Sequence, residues 1–234
     1  MDVMKQELTS FHSKLIRSFG RINGRKLSLQ KQSLLANFLP KIKLDTDIIN
    51  QASAKSKDQF NILEIGFGFG DFLFNLAKKN TSKNIYGFEP HINGIVNLLG
   101  LITKENLNNI KISNADIRKE IINFADNFFD EIYILFPDPW PKSKHYKRRL
   151  ITTNFLDNIL ANKLKKSAKI IISTDHDAYK TWILANILDC KKLQWSAQSK
   201  ADWQNFPDEW IATKYQKKAI AEGRIPVIFE LVKS

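Results

Sequence analysis

Asp138 is the residue of this chain best placed to do chemistry. It stands between two prolines and beside an indole, in Phe136-Pro137-Asp138-Pro139-Trp140-Pro141-Lys142. The prolines exclude helix and strand pairing, because proline lacks the amide proton and fixes φ. The segment is therefore a stiff loop. The apolar run before it, Ile132-Tyr133-Ile134-Leu135, reads as a buried strand that presents the loop at its C-terminal end. Behind the loop come Lys142, Lys144, Lys147, Arg148 and Arg149, with no acid among them. A lone acid and an aromatic backed by a basic ridge suit an enzyme that orients a base while gripping a nucleic-acid backbone.

A second cluster opens earlier, in Leu63-Glu64-Ile65-Gly66-Phe67-Gly68-Phe69-Gly70. Glycine at alternate positions lets the backbone turn tightly and approach a ligand with no side chain in the way. The dinucleotide fingerprint needs G-x-G-x-x-G, and here the third glycine comes one residue early. Glu64 stands two residues before Gly66, where it would repel a diphosphate but attract an ammonium group. That pairing suits S-adenosyl-L-methionine. Glu89 follows nineteen residues after Gly70, a position where an acid takes the hydroxyls of an adenosine ribose. Asp116, in Ser113-Asn114-Ala115-Asp116-Ile117, has two readings: acceptor for an adenine amino group, or helix N-cap.

These acids need elements to carry them. Apolar runs at 60–65, 84–88, 110–112, 131–136 and 169–173 read as strands, with helical patterns at 71–79, 92–103, 117–126, 149–164 and 176–188 between or after them. Strand and helix alternating in this rhythm predict a parallel sheet covered on both faces. A strand at 192–197, a helix at 213–222 and a strand at 227–232 complete a doubly wound, mostly parallel sheet of seven strands. Ligands of such α/β sheets bind beyond the C-terminal strand ends, where all four acids fall. Residues 30–57 are loosely helical and broken at Pro40. Residues 1–31 carry seven cations against Asp2 and Glu7, with Gly20 and Gly24 interrupting any long helix. They are expected to form a basic, flexible arm, leaving 32–234 as one domain.

Lys plus Arg total 36 against 24 acids, a net charge of +12, which calls for a polyanionic partner. Cys190 is the only cysteine, so no intrachain disulfide or cysteine-based zinc site can form. The first residues are too polar for a signal peptide, and no apolar run nears the ~20 residues of a membrane span. A cytoplasmic protein without metal or membrane association is expected, as a monomer or homodimer.

Taken together, the glycine loop, the strand-end acids and Phe136-Pro-Asp-Pro-Trp-Pro-Lys142 followed by His145-Tyr-Lys-Arg-Arg149-Leu resemble the bacterial tRNA (guanine-N7-)-methyltransferases. The resemblance extends from Arg17-Ser18-Phe19-Gly20-Arg21 to Thr213-Lys214-Tyr215 and Ile225-Pro-Val-Ile-Phe-Glu-Leu231, nearly the whole chain. It implies the Rossmann-like class I methyltransferase fold and methyl transfer from S-adenosyl-L-methionine to N7 of guanine 46 (tRNA numbering) in the variable loop. It further implies Glu64, Gly66, Gly68, Gly70, Glu89, Asp116 and Asp138 at the cofactor, with Asp138 as the catalytic carboxylate. By the same resemblance Lys142, Asp175, Thr213, Tyr215 and position 216 meet the substrate. The family motif T-x-Y-E reads Thr213-Lys214-Tyr215-Gln216 here, and the family arginine before His145 is Lys144. Lys144, Lys147, Arg148, Arg149, Arg21 and Arg25 are expected along the tRNA backbone.

Guanine N7 carries a free lone pair at neutral pH, so methylation there needs alignment and charge stabilisation rather than a base. Asp138 and Asp175 are natural acceptors for guanine N1–H and its amino group, and Asp138 would favour the positive charge that develops on the purine. Trp140 reads as a stacking or packing residue, His145 as structural or phosphate-contacting. Trp203 and Trp210 fit a substrate-side flap or a satellite core equally. Competing classes are a nicotinamide-dependent oxidoreductase, which the glycine spacing and Glu64 oppose, an adenine N6 methyltransferase, which more often has proline-proline-aromatic after its acid, and a non-catalytic RNA-binding module, which has no use for the strand-end acids.

Overall fold

Alternation along the strands decides the architecture. Ile62, Ile85, Ile110 and Ile112 point to one face of a sheet, while Leu63, Tyr86, Ile132 and Ile134 point to the other, and both sets are buried. In the computed structural model, which describes Phe19, Ile22, Gly24 and residues 26–55, 59–207 and 210–234, the strands are β1 (Asn61–Ile65), β2 (Asn84–Phe88), β3 (Ile110–Ser113), β4 (Phe129–Leu135), β5 (Leu164–Thr174), β6 (Leu193–Trp195) and β7 (Val227–Lys233). They form one sheet in the order β3-β2-β1-β4-β5-β7-β6. The ladders from β3 through β5 are parallel, and β7 runs antiparallel between β5 and β6. The strand order reverses between β1 and β4, which is where such sheets open a crevice for ligands.

The described helices are α1 (Leu29–Asn37), α2 (Leu39–Ile42), α3 (Thr46–Lys55), α4 (Asp71–Lys79), α5 (Ile92–Glu105), α6 (Ile117–Glu120), α7 (Ala161–Lys163), α8 (Asp177–Leu188), α9 (Ala201–Gln204) and α10 (Lys214–Ala221). On one face, Phe72, Leu73, Leu76 and Ala77 of α4 and Ile95, Leu98, Leu99 and Ile102 of α5 cover the isoleucines of β1–β3. On the other, Tyr179, Ile183 and Ile187 of α8 pack with Phe155, Leu156 and the ring cluster Tyr86, Phe124, Phe128 and Phe129.

The structure redraws several boundaries. The helix expected over 149–164 begins only at Asn154, as a π-helix to Leu160 that continues into α7. β5 starts at Leu164, five residues before the apolar run that announces it. Its polar opening is tied down instead by Lys165 Nζ, 2.8 Å from Asp130 Oδ2. The pattern at 117–126 resolves into α6 and a 3-10 turn over Ile121–Asn123, and β6 is only three residues long. α1 begins at Leu29, capped by the Ser28 hydroxyl, within the span expected to be arm.

Gly94 of α5 shows how tightly the first loop is seated. A Cβ there would stand 2.0 Å from the Gly68 carbonyl oxygen. Gly94→Ala is expected to destabilise the protein by about 1–3 kcal/mol, since a backbone atom cannot rotate away. It should also weaken cofactor binding by pushing the loop off its helix. Urea unfolding and a cofactor titration check both effects; an unshifted midpoint would mean that the loop yields freely.

Candidate active site

The site is built from the turns that follow β1, β2, β3 and β4. After β1, Gly66, Gly68 and Gly70 take φ values of 76°, 56° and 81°, which only glycine adopts without strain. The loop is fastened from below: Asn97 Nδ2 of α5 donates to the Phe69 carbonyl at 2.7 Å, and Gly66 N donates to the Phe88 carbonyl at 2.7 Å. After β2, Glu89 accepts from the Gly68 amide through Oε2 and from the His91 amide through Oε1, each at 2.8 Å. After β3, Asp116 N-caps α6 and is gripped by Arg118, with Nη2 2.6 Å from Oδ2. It is therefore a cap and a cavity wall at once.

These turns enclose a cavity of about 390 Å³. Gly66, Gly68, Glu89, Asp116 and Asp138 all line it, together with Trp140, Arg148 and Tyr215. Burial raises the Glu89 carboxyl against the pull of its two amide donors, with Asp138 adding repulsion. Asp138 sits exposed at the rim, yet the surrounding walls still strip enough water to raise its carboxyl above the ordinary aspartate value.

Glu64 does not share this cavity. It faces a small adjoining space with Gly66, Gly70, Asp71, Thr213 and Tyr215. It is 2% exposed, and its Oε2 is enclosed with no hydrogen-bond partner among the described residues. Burial, reinforced by Glu89 and Asp71, pushes its pKa from 4.5 up to about 8. Across the ladder it faces Gly87, where a Cβ would meet Leu73 at 2.5 Å, and Tyr133. An enclosed carboxyl without a partner, next to a glycine loop, fits the ammonium end of S-adenosylmethionine, while Glu89 and Asp116 fit its adenosyl end. Gly66 and Tyr215 border both spaces, so one ligand can occupy the two.

The Asp138 loop is strained. Phe136 and Trp140 hold φ at 52° and 42°, a region costing about 1–3 kcal/mol for a non-glycine residue. Phe136 N is fixed by the Ser173 carbonyl of β5 at 2.9 Å. Beyond the loop, a 3-10 turn over Ser143–Arg148 leaves Lys142, Lys144 and Lys147 exposed. Arg148 lies over the Trp140 ring at 4.9 Å and over the Phe19 ring at 4.7 Å, with its Nε enclosed and without a hydrogen-bond partner among the described residues. His145 packs edge-on to Trp140 at 5.7 Å, and partial desolvation, then Arg148, Lys144 and Lys142, lower its pKa. Trp140 is thus a stacked cavity wall.

Four expected contacts are placed otherwise. Arg149, expected along the tRNA backbone, is only 3% exposed and lies within aromatic rings. Asp175 lines neither space and pairs with Arg224 Nε at 3.0 Å. Thr213 N-caps α10, accepting from the Gln216 amide at 3.0 Å, and reaches only the small space. Gln216 is buried, its Oε1 accepting from the Trp210 indole at 2.8 Å. The acceptor oxygen at position 216 thus serves the fold, which the glutamine supplies without a buried charge. Trp203 and Trp210 both pack on the cores. Arg21 and Arg25 lie outside the described residues, but their neighbours are anchored: Ile22 O accepts from Ile92 N at 3.0 Å, and Gly24 N donates to Asn93 at 3.1 Å. Residue reasoning missed Phe19 and Arg118 as cavity walls; the only sequence signal for either was its place beside a motif.

A seven-stranded sheet with β7 reversed, and a cavity lined by a glycine loop and strand-end acids, define a class I S-adenosylmethionine-dependent methyltransferase. A solved methyltransferase described as antibiotic-related shares this fold at a TM-score of 0.51 and 19% identity, over 82% of this chain and 94% of that one. Residues 58–227 match the family model described as "Putative methyltransferase". The tRNA (guanine-N(7)-)-methyltransferase of Hyphomonas neptunium is 35% identical over 92% of this chain and 98% of its own length. That of Buchnera aphidicola is 37% identical over 94% and 91%. The chain belongs to the tRNA (guanine-N(7)-)-methyltransferase family.

Proposed function

We propose that this protein methylates N7 of guanine 46 in the variable loop of tRNA, using S-adenosyl-L-methionine, in the cytoplasm. The observation that carries it is Asp138 on the rim of the same cavity that Glu89 and the glycine loop line. Bound there, the cofactor supplies an electrophilic methyl group on a sulfonium. Glu64 would receive its ammonium group, Glu89 the ribose hydroxyls, and Asp116 the adenine edge. Transfer of that methyl to guanine N7, with the carbon–sulfur bond given up, would leave positive charge on the purine and would need no proton transfer. Asp138 accepts from the guanine edge and favours that charge more in the transition state than before it. Lys142, Lys144 and Lys147 meet phosphates, Arg148 the strand nearest the cavity, and the cations ahead of α1 act as a basic arm.

No described helix is long and apolar enough to cross a membrane. Among the described residues no group of three or more His, Cys, Asp or Glu side chains could hold a metal. The test is incubation with methyl-labelled cofactor and unmodified tRNA, followed by mapping of the label. N7 of one variable-loop guanine is the expected position. Label on adenine N6 would overturn the base assignment, and tRNA binding without any label would point to a non-catalytic module.

A further inference from the structure

Arg149 is a buried cation without an anion among the described residues. Its guanidinium lies 3.7 Å over the Tyr146 ring, 4.7 Å over Trp182 and 5.2 Å over Tyr179. No carboxylate pairs with it among the described residues. Enclosing an unpaired charge is costly, so such an arrangement persists only where the ring faces and hydrogen-bond acceptors compensate. The acceptors here are informative. Nε donates to the Pro139 carbonyl at 2.8 Å, and Nη2 makes a longer 3.5 Å approach to the Trp140 carbonyl.

Those two carbonyls flank the strained φ of Trp140 and follow directly on Asp138. A residue in that backbone region stays there only when its surroundings over-determine it. The bond from Nε fixes the peptide plane that joins Pro139 to Trp140. The cage is itself braced: Trp182 Nε1 donates to the Ile151 carbonyl at 2.7 Å, and the Tyr179 hydroxyl accepts from Ile151 N at 3.4 Å. Tyr179 and Trp182 belong to α8, which follows β5, so the cage ties the loop after β4 to the neighbouring strand's crossover. A lysine would keep the charge but not the planar fork that faces a carbonyl while stacking on rings.

We propose that Arg149, rather than gripping tRNA, is the positioning residue that holds the Asp138 loop in its working shape. The proposal rests on the assignment of Asp138 to methyl transfer. Arg149→Lys and Arg149→Gln are expected to lower kcat by about tenfold to a hundredfold, the scale set by small misplacements of a catalytic group. KM values for cofactor and tRNA should stay within about threefold of wild type, because the guanidinium is buried and lines neither space. The salt slope of tRNA affinity should be unchanged in both variants, whereas Lys144→Ala with Lys147→Ala should flatten it by about one to two phosphate contacts.

Hydrogen exchange on the free protein adds a readout independent of catalysis: the Asp138, Trp140 and Lys142 amides should exchange faster in Arg149→Gln, or in Arg149→Lys where the glutamine variant does not fold. A folded variant with wild-type kcat and unchanged loop exchange would overturn the proposal. So would a flattened salt slope matching that of the lysine pair, which would return Arg149 to the tRNA backbone. If the wild type methylates no tRNA, the functional assignment fails, while the exchange measurement still decides whether Arg149 holds the loop.

Discussion

Asp138→Ala should lower kcat by about 10²–10³-fold, or about 3–4 kcal/mol of transition-state stabilisation. The loss belongs in kcat, because the substitution leaves intact the proposed cofactor holders Glu64, Glu89 and the glycine loop and the lysines proposed to meet tRNA. Asp138→Asn should recover part of the rate, since an amide oxygen can still accept from guanine but carries no charge. The pH profile adds a second mark. Desolvation raises the Asp138 carboxyl in the free protein, and only the ionised form is productive. kcat/KM should therefore fall as pH drops through a value above the ordinary aspartate range, and that acid limb should be missing in Asp138→Asn. Any limb that remains belongs to Glu64 and Glu89, both raised by burial. An alanine variant with wild-type kcat would remove Asp138 from the chemistry.

Glu64→Gln is expected to weaken S-adenosylmethionine binding by about 2–5 kcal/mol, the scale for removing one partner of a buried charge pair. The wild-type site holds a proton when empty, because its carboxyl pKa stands at about 8 instead of 4.5. An incoming ammonium group reverses that preference, so binding near pH 7 should release close to one proton. Calorimetric titration in buffers of different protonation enthalpy measures this release, and Glu64→Gln should abolish it. Stability follows the same linkage. A raised pKa means that the folded state binds the extra proton, so the Glu64 contribution is intact below about pH 4.5 and is lost as pH rises through about 8. The free wild type should lose stability across that window, and Glu64→Gln should lose less, because Glu89 and Asp138 remain raised. Binding without proton release would show that the carboxylate is already ionised.

The strands were legible because their apolar residues alternate or run unbroken, as in Ile62-Leu63 and Ile170-Ile171-Ile172, and the glycine loop because its spacing differs from a dinucleotide turn. The acids at the strand ends were legible as a set, and Glu89, Asp116 and Asp138 do share one cavity. Arg149 was not legible, because in Lys147-Arg148-Arg149 nothing in the residue types distinguishes a buried cation from exposed ones. Its burial comes from a 3-10 turn that ends at Arg148 and from rings on α8, some thirty residues downstream. Asp175 hides its partner in the same way, since Arg224 arrives from the segment before β7. The early start of β5 escaped notice because Lys165, reaching back to Asp130, replaces the apolar signal.

The insertion of β7 between β5 and β6 has a consequence for biosynthesis. A nascent chain that has left the ribosome short of Val227 offers β5 with a bare hydrogen-bonding flank and β6 with no strand to pair with. The sheet is closed by the segment translated after every other strand, so folding competence is gained in one late step. Until then the half-built sheet is a substrate for chaperones or for pairing with another unfinished copy.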